Sequence, residues 1–139
     1  MSIPGKVLIV DDEAHIRKYT GLLLRSLGVP LILEATNGQE GFEVYQREQP
    51  DLVLMDVNMP VLDGVETLKL INAYDPEAVV VMLTSLATRQ IIDDAASHGA
   101  TYYLRKDTPR DEILAQLKQI FADTFESDDD AAVAPDATP

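Results

Sequence analysis

The sequence predicts an α/β domain of five consecutive strand–helix units, with a parallel sheet covered by helices on both faces. Three observations predict it. Short apolar runs alternate with segments whose apolar residues recur at helical spacing. The runs are apolar at successive positions, as strands buried on both faces must be. A chain of 139 residues, 46% hydrophobic and 25% charged, is long enough for one domain with a sizeable core.

Lys6–Val10 (KVLIV) reads as the first strand. Ile16, Thr20, Leu23, Leu24 and Leu27 then recur on one helical face, and Gly28 is the stop. Leu31–Ala35 is a short second strand, after which Asn37 caps a helix over Gly38–Glu48. Asp51–Met55 is the third strand, and Val65, Leu68 and Ile71 mark the helix after Gly64. Ala78–Leu83 is the most apolar run, as a central strand should be. Ile91, Ile92, Ala95 and Ala96 mark the fourth helix, closed by Gly99, and Thr101–Arg105 is the fifth strand. Thr108-Pro109-Arg110-Asp111 reads as an N-cap, a proline at the first helical position and an acid in the first turn. Ile113, Leu114, Leu117, Ile120 and Phe121 complete that last helix.

Composition limits the function classes. The formal net charge is −13, which repels a phosphate backbone or an anionic membrane surface, so neither nucleic acid nor membrane is an expected partner. The absence of cysteine excludes a disulfide framework, a thiolate nucleophile and a cysteine zinc site. No apolar run approaches the length of a membrane span, so a cytoplasmic protein is expected. The composition changes once. Residues 1–125 read as the domain, and 126–139 (ESDDDAAVAPDATP) as an acidic, solvated tail.

In parallel sheets of this kind ligands bind beyond the carboxyl ends of the strands, where the strand order reverses. Asp11, Asp12 and Glu13 follow the first strand, Asp56 the third, Thr84 and Ser85 the fourth, and Lys106 the fifth. Two carboxylates about 4 Å apart repel by roughly 4 kcal/mol at an effective dielectric of 20. Gathering Asp11, Asp12 and Asp56 therefore calls for a cation, and an all-oxygen ligand set selects a hard one such as Mg²⁺. A carboxylate beside such a cation can attack a phosphoryl donor and become an aspartyl phosphate. Lys106 and the Thr84 hydroxyl supply a cation and a donor for the transferred group. His15 and His98 read as solvated helix residues without a role.

VLIVDDE, DLVLMDVNMPVLDG, VVVMLTS and GATYYLRK together resemble a response-regulator receiver domain of the chemotaxis type (CheY-like), over about Lys6–Phe121. The resemblance implies a flavodoxin-like doubly wound (βα)5 fold with sheet order 2-1-3-4-5. It implies two-component signalling rather than an enzyme acting on a separate substrate. Asp56 matches the phosphoacceptor. Asp11 and Asp12 match the acidic pair that holds Mg²⁺ with Asp56 and the Asn58 backbone carbonyl. Thr84 matches the hydroxyl that swings toward the phosphoryl group, Lys106 the lysine that pairs with it, and Tyr103 the aromatic switch. Met59, Pro60, Asp63 and Gly64 match the turn into the third helix. The implied donor is a sensor histidine kinase or a phosphotransfer protein. The implied output is a change in the face of fourth helix, fifth strand and fifth helix, toward an output protein or a homodimer.

The chain departs from the family pattern twice. Asp107 follows Lys106 where a proline is usual, leaving the loop into the last helix unspecified, and Ser85 follows Thr84 where Ala or Gly is common. Leu86 is apolar where it would border the phosphoryl site. Three other readings compete. An aspartate-nucleophile phosphohydrolase wants a second acid two residues after the nucleophile, where this chain has Asn58. A flavodoxin-like cofactor carrier needs a phosphate-binding first loop, where Asp11, Asp12 and Glu13 repel. A docking module that takes no phosphate does not require all the site residues, yet all are present.

Overall fold

A computed structural model describes residues 3–59, 61–85 and 88–126. Leu86, Pro60 and the tail from 127 onward lie outside the described residues. The order is β1 (Lys6–Val10), α1 (Ala14–Ser26), β2 (Leu31–Ala35), α2 (Gly38–Glu48), β3 (Leu52–Asp56), α3 (Gly64–Tyr74), β4 (Val80–Thr84), α4 (Arg89–Ser97), β5 (Tyr102–Arg105) and α5 (Arg110–Phe121). Ala122–Glu126 continues α5 as a π-helical turn. The five strands are all parallel, in the order β2-β1-β3-β4-β5. This is the doubly wound order that the sequence resemblance implies.

Strand parity divides the core. Val7, Ile9, Leu52, Leu54, Val81, Leu83 and Leu104 face α1 and α5, where Leu23, Leu24, Ile113, Leu117 and Phe121 meet them. Leu8, Val10, Val53, Met55, Val80 and Met82 face the other layer, where Val44, Tyr45, Leu68, Ile71 and Ala95 close over them. A strand with both faces packed must be apolar at every position, which is why these runs do not alternate.

The helix starts are chemically specified. Asn37 accepts from the Glu40 N–H at 2.8 Å, Asp63 from Glu66 at 2.9 Å and Thr88 from Ile91 at 3.2 Å. Gly28 follows α1 at φ 96°, a conformation that costs other residues a Cβ clash.

Four boundaries differ from the sequence reading. β3 begins at Leu52, because Asp51 instead receives the Gly5 and Lys6 N–H groups on its carboxylate at 3.1 and 3.0 Å. β4 is Val80–Thr84 rather than Ala78–Leu83, since the Ala78 N–H closes a turn onto the Asp75 carbonyl. β5 begins at Tyr102 rather than Thr101. Thr108 does not cap α5: Pro109 holds the cap position with an extended ψ of 150° and helix begins at Arg110. The Thr108 N–H turns back to the Arg105 carbonyl at 3.2 Å, and Arg105 grips Asp107 with two bonds of 3.0 and 2.9 Å.

Candidate functional site

β1 lies between β2 and β3, so successive crossovers leave it in opposite directions and open a crevice at its carboxyl end. Asp11 is the first residue past β1 and Asp56 the last of β3. The register sets Val10 beside Met55 and Asp56 beside Leu83, while Thr84 ends β4 beside Arg105. Lys106 is the next residue, held by its N–H to the Thr84 carbonyl at 2.7 Å. Thus four different strands deliver Asp11, Asp56, Thr84 and Lys106 to one edge.

The side chains meet there. Lys106 Nζ lies 2.7 Å from Asp11 Oδ2 and 3.1 Å from Asp56 Oδ1, with Glu13 Oε1 at 3.9 Å. Asp11 is 2% exposed, Asp56 5% and Thr84 0%, whereas Asp12 is exposed. One carboxylate oxygen from each of Asp11, Asp12 and Asp56 lies within 4.8 Å of the others. Three acids thus face one ammonium, and the pocket is deficient in positive charge.

The electrostatics follow from that imbalance. Burial, then the Asp11 charge, push the Asp56 carboxyl up from its ordinary 3.8 to about 6, against the pull of Lys106. Burial alone would lower Lys106, but the hydrogen bond to Asp11 and the charge of Asp56 outweigh it and hold the ammonium above the usual lysine range.

Backbone around the cluster is fixed by polar contacts. Asp11 Oδ1 accepts the Glu13 N–H at 2.9 Å, and the Asp11 N–H donates to the Ala35 carbonyl at 3.1 Å. Arg17 is a residue the sequence reading did not single out. Its Nη1 donates to the Asp11 carbonyl at 2.8 Å and its Nε to Glu34 Oε1 at 2.9 Å, tying α1 and β2 to the loop after β1. The signal available was its place one turn after the acidic triplet.

Beyond Asp56, exposed Asn58 and half-buried Met59 lead toward Asp63 and Gly64 at the same edge. The Gly64 N–H donates to the Val57 carbonyl at 2.8 Å. A Cβ on Gly64 would overlap the Asp56 carbonyl oxygen, so only glycine permits this approach.

Tyr102 and Tyr103 take opposite faces of β5. Tyr102 packs with the α1–α5 layer and Tyr103 with the other. The Tyr103 hydroxyl is buried without a hydrogen bond of good geometry. Burial raises its phenol, and the Thr84 side chain is the group that opposes the rise. Ser85 is exposed. His15 is exposed on α1, and His98 Nδ1 lies 2.8 Å from the Asp94 carbonyl at the end of α4, away from this cluster in the sequence of elements. Among the described residues no peptide bond is cis, and no helix is long and apolar enough to cross a membrane.

Residues 7–118 match the model of the response regulator receiver domain. The transcriptional regulatory protein LnrK of Bacillus subtilis (strain 168) is 41% identical over 116 residues, which are 83% of this chain and 53% of LnrK. The chain therefore spans about half the length of that relative. The chemotaxis protein CheY of the same organism is 33% identical over 114 residues, 82% of this chain and 95% of CheY. Among solved structures, the CheX–CheY–BeF3–Mg²⁺ complex from Borrelia burgdorferi aligns with a TM-score of 0.80 and 31% identity, over 86% of this chain and 90% of that one. The chain belongs to the response-regulator receiver domains, the CheY-like modules of two-component signalling.

Proposed function

We propose that Asp56 accepts a phosphoryl group from a histidine kinase or phosphotransfer protein, and that its phosphorylation rebiases the α4–β5–α5 face toward an output protein or a second copy. The observation that carries this reading is Lys106 Nζ bridging the buried carboxylates of Asp11 and Asp56, at 2.7 and 3.1 Å, beside the end of β4 at Thr84.

Asp56 Oδ is the nucleophile. It forms a bond to phosphorus as the donor's phosphorus–nitrogen bond breaks, and the electron pair leaves with the imidazole nitrogen. Lys106 is placed to neutralise a phosphoryl oxygen, and the Thr84 hydroxyl to donate to another. The donor set fits Mg²⁺: three carboxylate oxygens within 4.8 Å, no nitrogen or sulfur ligand, and a deficit of positive charge. Asp11, Asp12, Asp56 and the Asn58 carbonyl would hold it. Bound there, the cation supplies charge neutralisation for the carboxylates and the incoming phosphoryl oxygens. Tyr103, beside Thr84, is the side chain through which a moved hydroxyl would reach the face of α4 and β5. Asn58 stands where an aspartate-nucleophile hydrolase would want a second acid, which disfavours the phosphohydrolase reading.

The test is intact mass after incubation with Mg²⁺ and acetyl phosphate. One added phosphoryl group is expected on the wild type, and none on Asp56→Asn or without the cation. A wild type that stays unmodified under both acetyl phosphate and a phosphorylated histidine donor would favour a docking module.

A second expectation concerns pH. Cation binding needs ionised Asp56, whose carboxyl titrates at about 6 before the cation arrives. Protons therefore compete below that value. Mg²⁺ affinity should be level above pH 7 and fall roughly tenfold per unit below pH 6, for one proton released. A flat titration series between pH 7.5 and 5 would remove Asp56 from the ligand set.

A further inference from the structure

On a chain of net charge −13, helix α1 is a cationic island. It holds Arg17, Lys18 and Arg25 and no acid. Arg17 is committed to Glu34 and to the Asp11 carbonyl. Lys18 and Arg25 are exposed and make no ion pair with any described residue. Between them stands Leu22, 59% exposed. Spacing of four and three residues puts Lys18, Leu22 and Arg25 on one face of the helix. Beside that face runs β2, the edge of the sheet, which adds Ile32 and Glu34 to a groove of about 170 Å³. An exposed leucine between two unpaired cations at a sheet edge is a surface fitted to an acidic segment with an apolar middle.

The chain carries such a segment. Residues 127–139 read SDDDAAVAPDATP: an acidic block at Asp128–Asp130, an apolar stretch over Ala131–Pro135, then Asp136. The order acid, apolar, acid mirrors Arg25, Leu22, Lys18. Position agrees with pattern. Phe125, just before this segment, stacks edge-on to Phe121 at 6.4 Å; α1 and α5 cover the same face of an all-parallel sheet, so their carboxyl ends, Arg25 and Phe125 with them, lie toward the same edge of it. Lys18 and Arg25 are separated by roughly 10 Å of helix axis. The six residues from Asp130 to Asp136 can span up to about 20 Å when extended, enough to cross a groove and follow it.

We propose that residues 127–139 dock along the α1–β2 groove of their own chain, Asp128–Asp130 on Arg25, Val133 against Leu22 and Asp136 on Lys18.

The chain has no cysteine, so a single nitroxide can be attached to the full-length protein through Ala134→Cys. The expected result is paramagnetic broadening of amide signals confined to α1 and β2, centred on Lys18, Leu22 and Arg25. It should fall to background in the Lys18→Glu/Arg25→Glu variant, and also in about 1 M salt, where the screening length is roughly 3 Å. Broadening centred elsewhere, or absent, overturns the proposal. Groove broadening that survives charge reversal overturns its electrostatic basis. Mixing spin-labelled unenriched protein with unlabelled enriched protein separates the copies: broadening that persists there assigns the segment to a neighbour's groove and overturns the intramolecular form. Amide shifts of the β3 and β4 residues, unchanged by the double variant, report that it has folded.

Discussion

Replacing Lys106 with Met is expected to slow phosphorylation of Asp56 by acetyl phosphate about 10²–10³-fold, the usual cost of losing one preorganised charged donor at a reacting centre. Two losses combine. The ammonium that would meet the transferred oxygens is gone, and so is the charge that pulls the Asp56 carboxyl down. Asp56 then titrates above its present value of about 6, and less of it is a nucleophile at neutral pH. The rate of the variant should accordingly recover in part between pH 7 and 8.5, a readout that a merely loosened loop would not give. Stability carries a matching sign. A carboxyl whose pKa is raised on folding is destabilising above its folded value, and the penalty disappears as pH falls toward the unfolded value near 4. Lys106→Met should therefore lose most thermal stability at pH 8 and least at pH 5. Melting curves across that range check it. A variant phosphorylated within threefold of the wild-type rate would take Lys106 out of the chemistry.

The residues of this pocket were legible for a geometric reason. A parallel sheet sends every strand's carboxyl end to one edge, so the residue after each apolar run is placed by topology before any side chain is seen. Asp11, Asp56, Thr84 and Lys106 are such residues, and the distances among Asp11, Asp56 and Lys106 are those of contact. Contacts set by helix-to-sheet geometry were not legible. Arg17 reads as one base on a helix surface. Its bonds to the Asp11 carbonyl and to Glu34 need α1, β1 and β2 already assembled. Thr108 and Pro109 form a sound capping pattern locally, but the ion pair between Arg105 and Asp107 takes the turn instead. Parity shows that Tyr102 and Tyr103 face opposite ways; which of them lies beside Thr84 depends on the β4–β5 register. Val61 holds a left-handed φ of 72°, which a β-branched residue rarely adopts, and no residue type there announces it.

Gly64→Ala is expected to destabilise the protein by about 1–3 kcal/mol, against the direction that helix propensity alone would give. Gly64 opens α3, and in an ordinary helical position alanine in its place gains about 0.5–1 kcal/mol. Here the added Cβ would overlap the Asp56 carbonyl oxygen and crowd the Val57 Cα at 2.8 Å. Both obstacles are backbone, so no rotamer change relieves them, and either the start of α3 or the end of β3 must shift. The Gly64 N–H bond to the Val57 carbonyl, 2.8 Å long, lies in the path of that shift. The end of β3 is also where Asp56 meets Lys106, so the damage should reach the pocket. Mg²⁺ affinity and phosphorylation by acetyl phosphate should fall together, at temperatures well below the melting point. Gly21→Ala is the matched control. Gly21 sits inside α1 with nothing within 4 Å of an added Cβ, so the same substitution should stabilise by about 0.5–1 kcal/mol. Chemical denaturation of the two variants beside the wild type gives the comparison. Opposite signs locate the constraint in the approach of α3 to the strand that carries Asp56. A stabilised Gly64→Ala would mean that the β3–α3 turn can open without cost, and that Asp56 is held by its own strand and by Lys106 alone.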